Sequence, residues 1–162
     1  MKKQTRLYNI ILPIWLLWLV PQVWLAILPG NLAVDCLVLF LTLLAMKHGR
    51  KGAVLKQMWW KIWLLGFAAD AVGAAWMLLG LFLGEWSPWL DRNLSSVIHN
   101  SFGSPLAFCW TLAGVVLAGV CIYFFDKRAM RSCALLTAGQ RHIVALMLAI
   151  VTAPWLFLYP MY

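Results

Sequence analysis

The sequence predicts an all-α integral membrane protein: a five-helix transmembrane bundle with a short amphipathic interfacial helix between the third and fourth helices. Hydrophobic residues make up 64% of the 162 residues and charged residues only 11%, whereas about a quarter of the residues of a soluble domain are charged. The mean hydropathy is +0.85. The apolar residues also form long runs, and almost all basic residues lie outside those runs. Such a chain cannot cover a water-facing surface with polar groups, so we expect it to lie in a bilayer.

Five apolar runs define the predicted helices, because a membrane-spanning helix needs about 20 residues. Pro29-Gly30 is a turn signal that separates the first two runs and predicts a helical hairpin. Ser87-Pro88 is a favourable helix start, and the apolar residues that follow recur at helical spacing. The prediction is a single transmembrane domain over residues 1–162, with helices at about 7–28, 31–46, 58–84, 105–125 and 142–159 and the interfacial segment at about 86–104.

The basic residues predict the orientation of the bundle. Twelve of the thirteen Lys and Arg residues fall on one side of the five-helix arrangement, and only Arg92 falls on the other. Since Lys and Arg are retained on the cytoplasmic side, we expect a plasma (inner) membrane protein with its amino terminus in the cytoplasm and its carboxyl terminus outside. The same bias explains the net charge of +8. The expected partner is therefore the lipid bilayer, and no nucleic acid is expected.

The sequence contains none of the common signatures of catalysis or cofactor binding. It has no Walker-type phosphate loop, no GxGxxG, no HExxH and no GxSxG, and the apolar runs leave no room for a separate soluble domain. The four cysteines form no CxxC pair. We therefore predict no catalytic residues, no cofactor and no metal site.

Two aspartates in the apolar runs are the strongest candidates for function. Asp70 lies nine residues beyond Lys61, about 14 Å along its helix, and Asp35 lies twelve residues before Lys47, about 18 Å from the same side. Both are thus predicted at mid-depth, where an Asp costs about 2.5–3.5 kcal/mol to insert. Asp70 has no helix end nearby to offset its charge. Asp35 is close to the predicted helix start at Asn31, where the helix dipole would also stabilise it.

Along each predicted helix, small or polar residues recur every three or four positions and should face the interior of the bundle. Further candidates belong to these rows or lie deep in the helices. Thr111 could form a hydrogen bond with Asp70. Thr152 precedes a proline, which frees a backbone carbonyl. Indole faces beside a carboxylate can hold an organic cation. Helix packing alone is the competing interpretation. Together with Asp70 and Asp35, the predicted ligand-binding residues are Asn31, Thr111, Thr152, Trp76 and Trp110.

These features lead to three hypotheses about function. The first is a small transporter or permeation subunit that binds a proton, cation or cationic solute through the intramembrane carboxylates. The second is a non-catalytic accessory, regulatory or protective membrane subunit that binds a protein or lipid. The third, an intramembrane aspartyl hydrolase, ranks last because no GxGD-type motif is present. A narrow bundle of this size is expected to act as a homodimer or with a partner membrane subunit.

Overall fold

The computed structural model describes residues 21–98 and 100–159, and every regular element in them is helical. The α-helices are α1 (Pro21–Ala45), α2 (Lys51–Trp86), α3 (Pro88–Leu94), α4 (Pro105–Ala129) and α5 (Ala138–Val151). Short 3-10 turns follow α3, α4 and α5 at Ser95–Ile98, Met130–Ser132 and Trp155–Leu158. Four stretches of the described chain are long and apolar enough to cross a membrane: Ile27–Ala45, Lys51–Trp86, Pro105–Ser132 and Ala138–Leu158.

The predicted hairpin at Pro29-Gly30 is wrong, because α1 runs unbroken through both residues. A proline removes one backbone hydrogen bond from a helix, but a turn inside an apolar layer would leave several backbone groups unsatisfied. The Trp63 indole also donates to the carbonyl of Leu28 (3.1 Å), which ties α1 to α2 beside the proline. The first predicted helix, at about 7–28, therefore merges with the second from residue 21 onward, and its residues 7–20 lie outside the described residues.

The connection between α1 and α2 lies at residues 46–50 instead. Lys47 adopts a left-handed conformation (φ 52°), and its N–H donates to the Leu44 carbonyl (2.9 Å). The next N–H, of His48, donates to the Leu43 carbonyl (3.0 Å). These two bonds form a Schellman motif, which satisfies the last carbonyls of α1 and reverses the chain.

The four long helices form a ring in which α1 contacts α2 and α5, and α4 contacts α2 and α5. The tightest pair is α2 with α4, where a methyl group placed on Gly73 would lie 3.1 Å from Cβ of Ala118. Farther along, Gly80 of α2 faces Trp110 of α4, so the two helices run antiparallel. Glycine and alanine allow this close approach.

The ends of α4 and α5 depend on local capping. Ser104 accepts a hydrogen bond from the Ala107 N–H (3.0 Å) ahead of Pro105, and Thr137 forms a capping box with Gln140 at the start of α5. This capping box starts α5 four residues before the predicted position at His142. Pro154 stops it early, at Val151, whereas the prediction extended the helix to 159.

Candidate functional site

A cavity of about 320 Å³ lies between α1, α2 and the end of α5, in the half of the bundle away from the basic loops. Its polar lining residues include Asn31, Asp70 and Thr152, and apolar side chains such as Ile27 and Phe157 line the rest. Three of the predicted ligand-binding residues, taken from three different helices or helix ends, therefore meet in one cavity. Only the folded bundle brings them together.

Asp70 is partly buried on α2 and lines this cavity. Its Oδ1 atom is buried and accepts no hydrogen bond from any side chain or backbone group of residues 21–98 and 100–159. Buried polar oxygens are normally hydrogen-bonded, so an unpartnered carboxylate oxygen beside a cavity marks a place where a donor or a cation can bind.

Asp35 lies on α1 and is only 2% exposed. A methyl group on Gly66 of α2 would lie 3.4 Å from Asp35 Oδ2, so the carboxyl group packs directly against the α2 backbone. Gly66 precedes Asp70 by four residues, about 6 Å along the helix. The two carboxyl groups are close enough for their charges to interact. Asp35 Oδ2, like Asp70 Oδ1, lacks a hydrogen-bonding partner in the described part of the chain.

Thr152 connects the two aspartates. Its side chain lines the cavity beside Asp70 and is within hydrogen-bonding reach of the Asp35 carboxyl group. The Thr152 hydroxyl already donates its one proton to the Leu148 carbonyl (2.9 Å).

The break at the end of α5 shapes the cavity wall. Pro154 has no N–H for the Ile150 carbonyl, four residues earlier. The Trp155 indole takes over as donor to that carbonyl (2.8 Å). The chain then turns away from the helix axis, and residues 151–157 line the cavity. The break thus lies inside the run that the sequence predicted to be helical to 159.

A third buried carboxylate, Asp126 of α4, was missed in the sequence. It is 1% exposed, and neither of its oxygens has a hydrogen-bonding partner among the described residues. It is near enough to Asp35 for their charges to interact. The predicted fourth helix ended at residue 125, so Asp126 fell in the loop after it, next to the basic residues Lys127 and Arg128. The signal that could have identified it is the spacing of the buried residues Ala118, Ile122 and Asp126, four apart.

The helix register shows how deep Asp126 lies. Ala118 faces Gly73, and Asp126 lies eight residues beyond Ala118, about 12 Å toward the basic end. Gly66 lies seven residues from Gly73 in the same direction, about 10 Å. Asp126 is therefore at nearly the depth of Gly66, against which Asp35 packs, while Asp70 lies about one helical turn farther from the basic end.

The remaining three predicted ligands lie in the α2–α4 interface and do not line this cavity. Trp76 and Trp110 stack with ring centroids 4.4 Å apart. The Trp76 indole donates to the Trp110 carbonyl (3.0 Å) and the Trp110 indole to the Trp76 carbonyl (3.2 Å). Both indole donors are thus engaged in joining the helices. Thr111, the next residue, is fully buried, and its hydroxyl has no partner within residues 21–98 and 100–159.

The described residues contain no group of three or more His, Cys, Asp or Glu side chains that could hold a metal ion. Comparison with protein family models, with curated proteins and with solved structures gives no match. The proposed function therefore depends on the geometry of the carboxylates and their cavity.

Proposed function

We propose that the protein is a small membrane transporter or permeation subunit that binds a proton, a cation or a small cationic solute at Asp70 and Asp35. The observation that carries the proposal is the unpartnered Oδ1 of Asp70 at the cavity between α1, α2 and α5. Asn31 and Thr152 supply neutral oxygen ligands in the same cavity. An Asp kept inside a membrane helix usually serves a substrate or ion pathway, because its insertion is costly.

The chemistry of the site favours a positively charged ligand. Two interacting carboxylates without a basic partner repel each other when both are ionised, and a bound proton or cation relieves this repulsion. No ion pair supplies that charge to Asp70 Oδ1 or Asp35 Oδ2 from the described residues. Binding of a cation would therefore be strongest when both carboxylates are ionised and would compete with binding of a proton.

The three aspartates also suggest a direction of movement. Asp70 lines the cavity, Asp35 lies about one helical turn deeper, and Asp126 of α4 lies near the depth of Asp35. A proton or cation entering the cavity would reach Asp70 first, then Asp35, and Asp126 last before the basic end of the bundle. Asp126 is thus the proposed inner binding position of the same pathway.

The charge distribution orients this pathway in the proposed plasma or inner membrane. The loop at 46–50 and the segment 127–141 carry basic residues, whereas Arg92 lies at the opposite end. By the positive-inside tendency, the basic end faces the cytoplasm and the cavity opens toward the outer side, with residue 159 also outside. The location of the amino terminus was predicted from residues outside the described part and stays a prediction.

The test is ion flux into proteoliposomes that contain the full chain. Proton uptake is measured with a trapped pH-sensitive dye, and sodium or potassium uptake with radioactive tracers. We expect Asp70→Asn and Asp35→Asn to fold normally and to lose flux, because an amide keeps hydrogen bonds but cannot exchange charge. Glu85→Gln is the matched control, since it removes an exposed carboxylate of α2 outside the cavity.

Undiminished flux in a folded Asp70→Asn protein would contradict the carboxylate mechanism. If the wild-type chain itself conducts no proton, sodium or potassium ion, the accessory-subunit hypothesis moves ahead. In that case the aspartates would join helices within the bundle or to a partner membrane subunit, and copurification of a second membrane protein or a homodimer would be the next measurement.

A further inference from the structure

A second cavity, of about 410 Å³, lies in the groove between α4 and α5 and is lined almost wholly by apolar groups. Gly119 and Ala149 bring the helices close at its floor, since a methyl group on Gly119 would lie 3.4 Å from the Ala149 carbonyl oxygen. Val120 and Leu146 are exposed along its sides. From Val115 to Phe124 the groove extends about 14 Å along α4, the length of part of an acyl chain.

The basic end of this groove carries one cation, Lys127, beside the polar groups of Tyr123 and His142. Tyr123 lines the groove, and its hydroxyl group contacts Nδ1 of His142 (2.8 Å) and accepts a hydrogen bond from Lys127 Nζ (2.6 Å). Lys127 Nζ also lies 4.9 Å from the centre of the Tyr123 ring. The neighbouring Asp126 is not its ion partner, because both Asp126 oxygens are unpartnered in the described structure. Lys127 thus holds an uncompensated positive charge at the end of an apolar groove.

We propose that this groove binds an anionic phospholipid, with an acyl chain between α4 and α5 and the phosphate at Lys127 and the Tyr123 hydroxyl. An apolar groove beside a cation matches the two parts of such a lipid, and basic pockets between membrane helices bind anionic head groups on the cytoplasmic side. The groove lies between α4 and α5, and among the described residues only Ala153 and Trp155 line both the groove and the carboxylate cavity. The lipid site does not depend on transport activity.

The experiment is native mass spectrometry of the full chain released from micelles containing phosphatidylglycerol and phosphatidylcholine with identical acyl chains. The wild-type chain should retain phosphatidylglycerol preferentially. Lys127→Gln should lower that preference about fivefold, the effect of one basic residue at an anionic lipid surface. Lys56→Gln is the matched control, because Lys56 is an exposed basic residue on α2 that does not line the groove.

A second variant tests the acyl-chain part. Leu146 is exposed on the groove wall, so Leu146→Trp should fill the groove without disturbing the core and should reduce retention of both lipids. Circular dichroism and gel filtration check the fold of each variant. Equal phosphatidylglycerol preference in wild type and Lys127→Gln would overturn the proposal. A second outcome would also overturn it: the wild type is a dimer, Leu146→Trp is a monomer, and the lipid preference is the same in both. A second copy of the chain, and no lipid, would then occupy the groove.

Discussion

Trp76 and Trp110 join α2 and α4 by a reciprocal pair of hydrogen bonds, each indole donating to the other residue's carbonyl. Each ring covers a glycine on the opposite helix: Trp110 lies over Gly80, and Trp76 over Gly114. Because glycine has no side chain, each ring can pack directly against the backbone of the opposite helix. This arrangement gives a large aromatic pair a structural role in the helix interface.

We expect Trp76→Phe and Trp110→Phe each to lower the free energy of unfolding by about 1 kcal/mol, the upper part of the range for hydrogen bonds between membrane helices. Thermal unfolding in detergent measures the effect, and Trp89→Phe, at an exposed position on α3, serves as control. The two changes share one stacked pair, so the double variant should deviate from additivity. Strict additivity would show that the two residues act independently.

Gly80→Ala and Gly30→Ala should have opposite effects on stability. A methyl group on Gly80 would lie 2.5 Å from Trp110 Nε1, whereas no atom of residues 21–98 and 100–159 lies within 4 Å of one on Gly30. Overpacking at Gly80 should cost about 1–3 kcal/mol, while alanine at the open helical position 30 should stabilise the protein by about 0.5–1 kcal/mol. Melting temperatures of both variants in one detergent test this, and equal tolerance would contradict the close α2–α4 contact.

The left-handed conformation of Lys47 predicts a stabilising substitution. A non-glycine residue in this conformation costs about 1–2 kcal/mol relative to glycine, so Lys47→Gly should raise the free energy of unfolding by about 1 kcal/mol. Lys47→Ala removes the same charge but keeps the strain, and it should give no such gain. If both variants behave alike, the effect comes from the charge and the chain reversal is not strained.

Asp126→Asn should leave the fold at least as stable as wild type, because a neutral amide replaces a buried ionisable group that has no partner in the described structure. In the proteoliposome assay we expect it to slow flux while solute binding at the cavity persists, since Asp70 and Asp35 are untouched. Isothermal titration with the transported cation, beside the flux measurement, separates these effects. Full flux in Asp126→Asn would remove this residue from the pathway.

The proposed membrane orientation predicts the accessibility of introduced cysteines. In a variant without native cysteines, Lys51→Cys and Arg131→Cys should react with an impermeant maleimide from the cytoplasmic side, and Arg92→Cys from the outer side. Sealed vesicles of known orientation provide the measurement. Reaction of positions 51 and 92 from the same side would be incompatible with α2 as a membrane-spanning helix.

The sequence by itself determined the helical class, the approximate positions of α2 and α4 and the small-residue row of α2. These features are local: apolar run length indicates a spanning helix, and the buried residues Gly66, Gly73, Met77 and Gly80 repeat at helical spacing. The row also led to Asp70, because an acidic residue among small ones in an apolar run is visible without any structure. The hairpin prediction from Pro29-Gly30 was wrong, because the turn preference of these two residues is weaker than the need of a backbone in an apolar layer to keep its hydrogen bonds.

Only the tertiary structure decided which polar residues meet. Asn31, Asp70 and Thr152 are far apart in the chain, and their shared cavity depends on how α1, α2 and the broken end of α5 pack. Tertiary packing also buried Asp126, whose basic neighbours in the sequence suggested a solvated loop, and paired Trp76 with Trp110 across an interface. Sequence spacing shows which face of a helix a residue occupies, but the neighbour of that face is determined by the register and rotation of the packed helices.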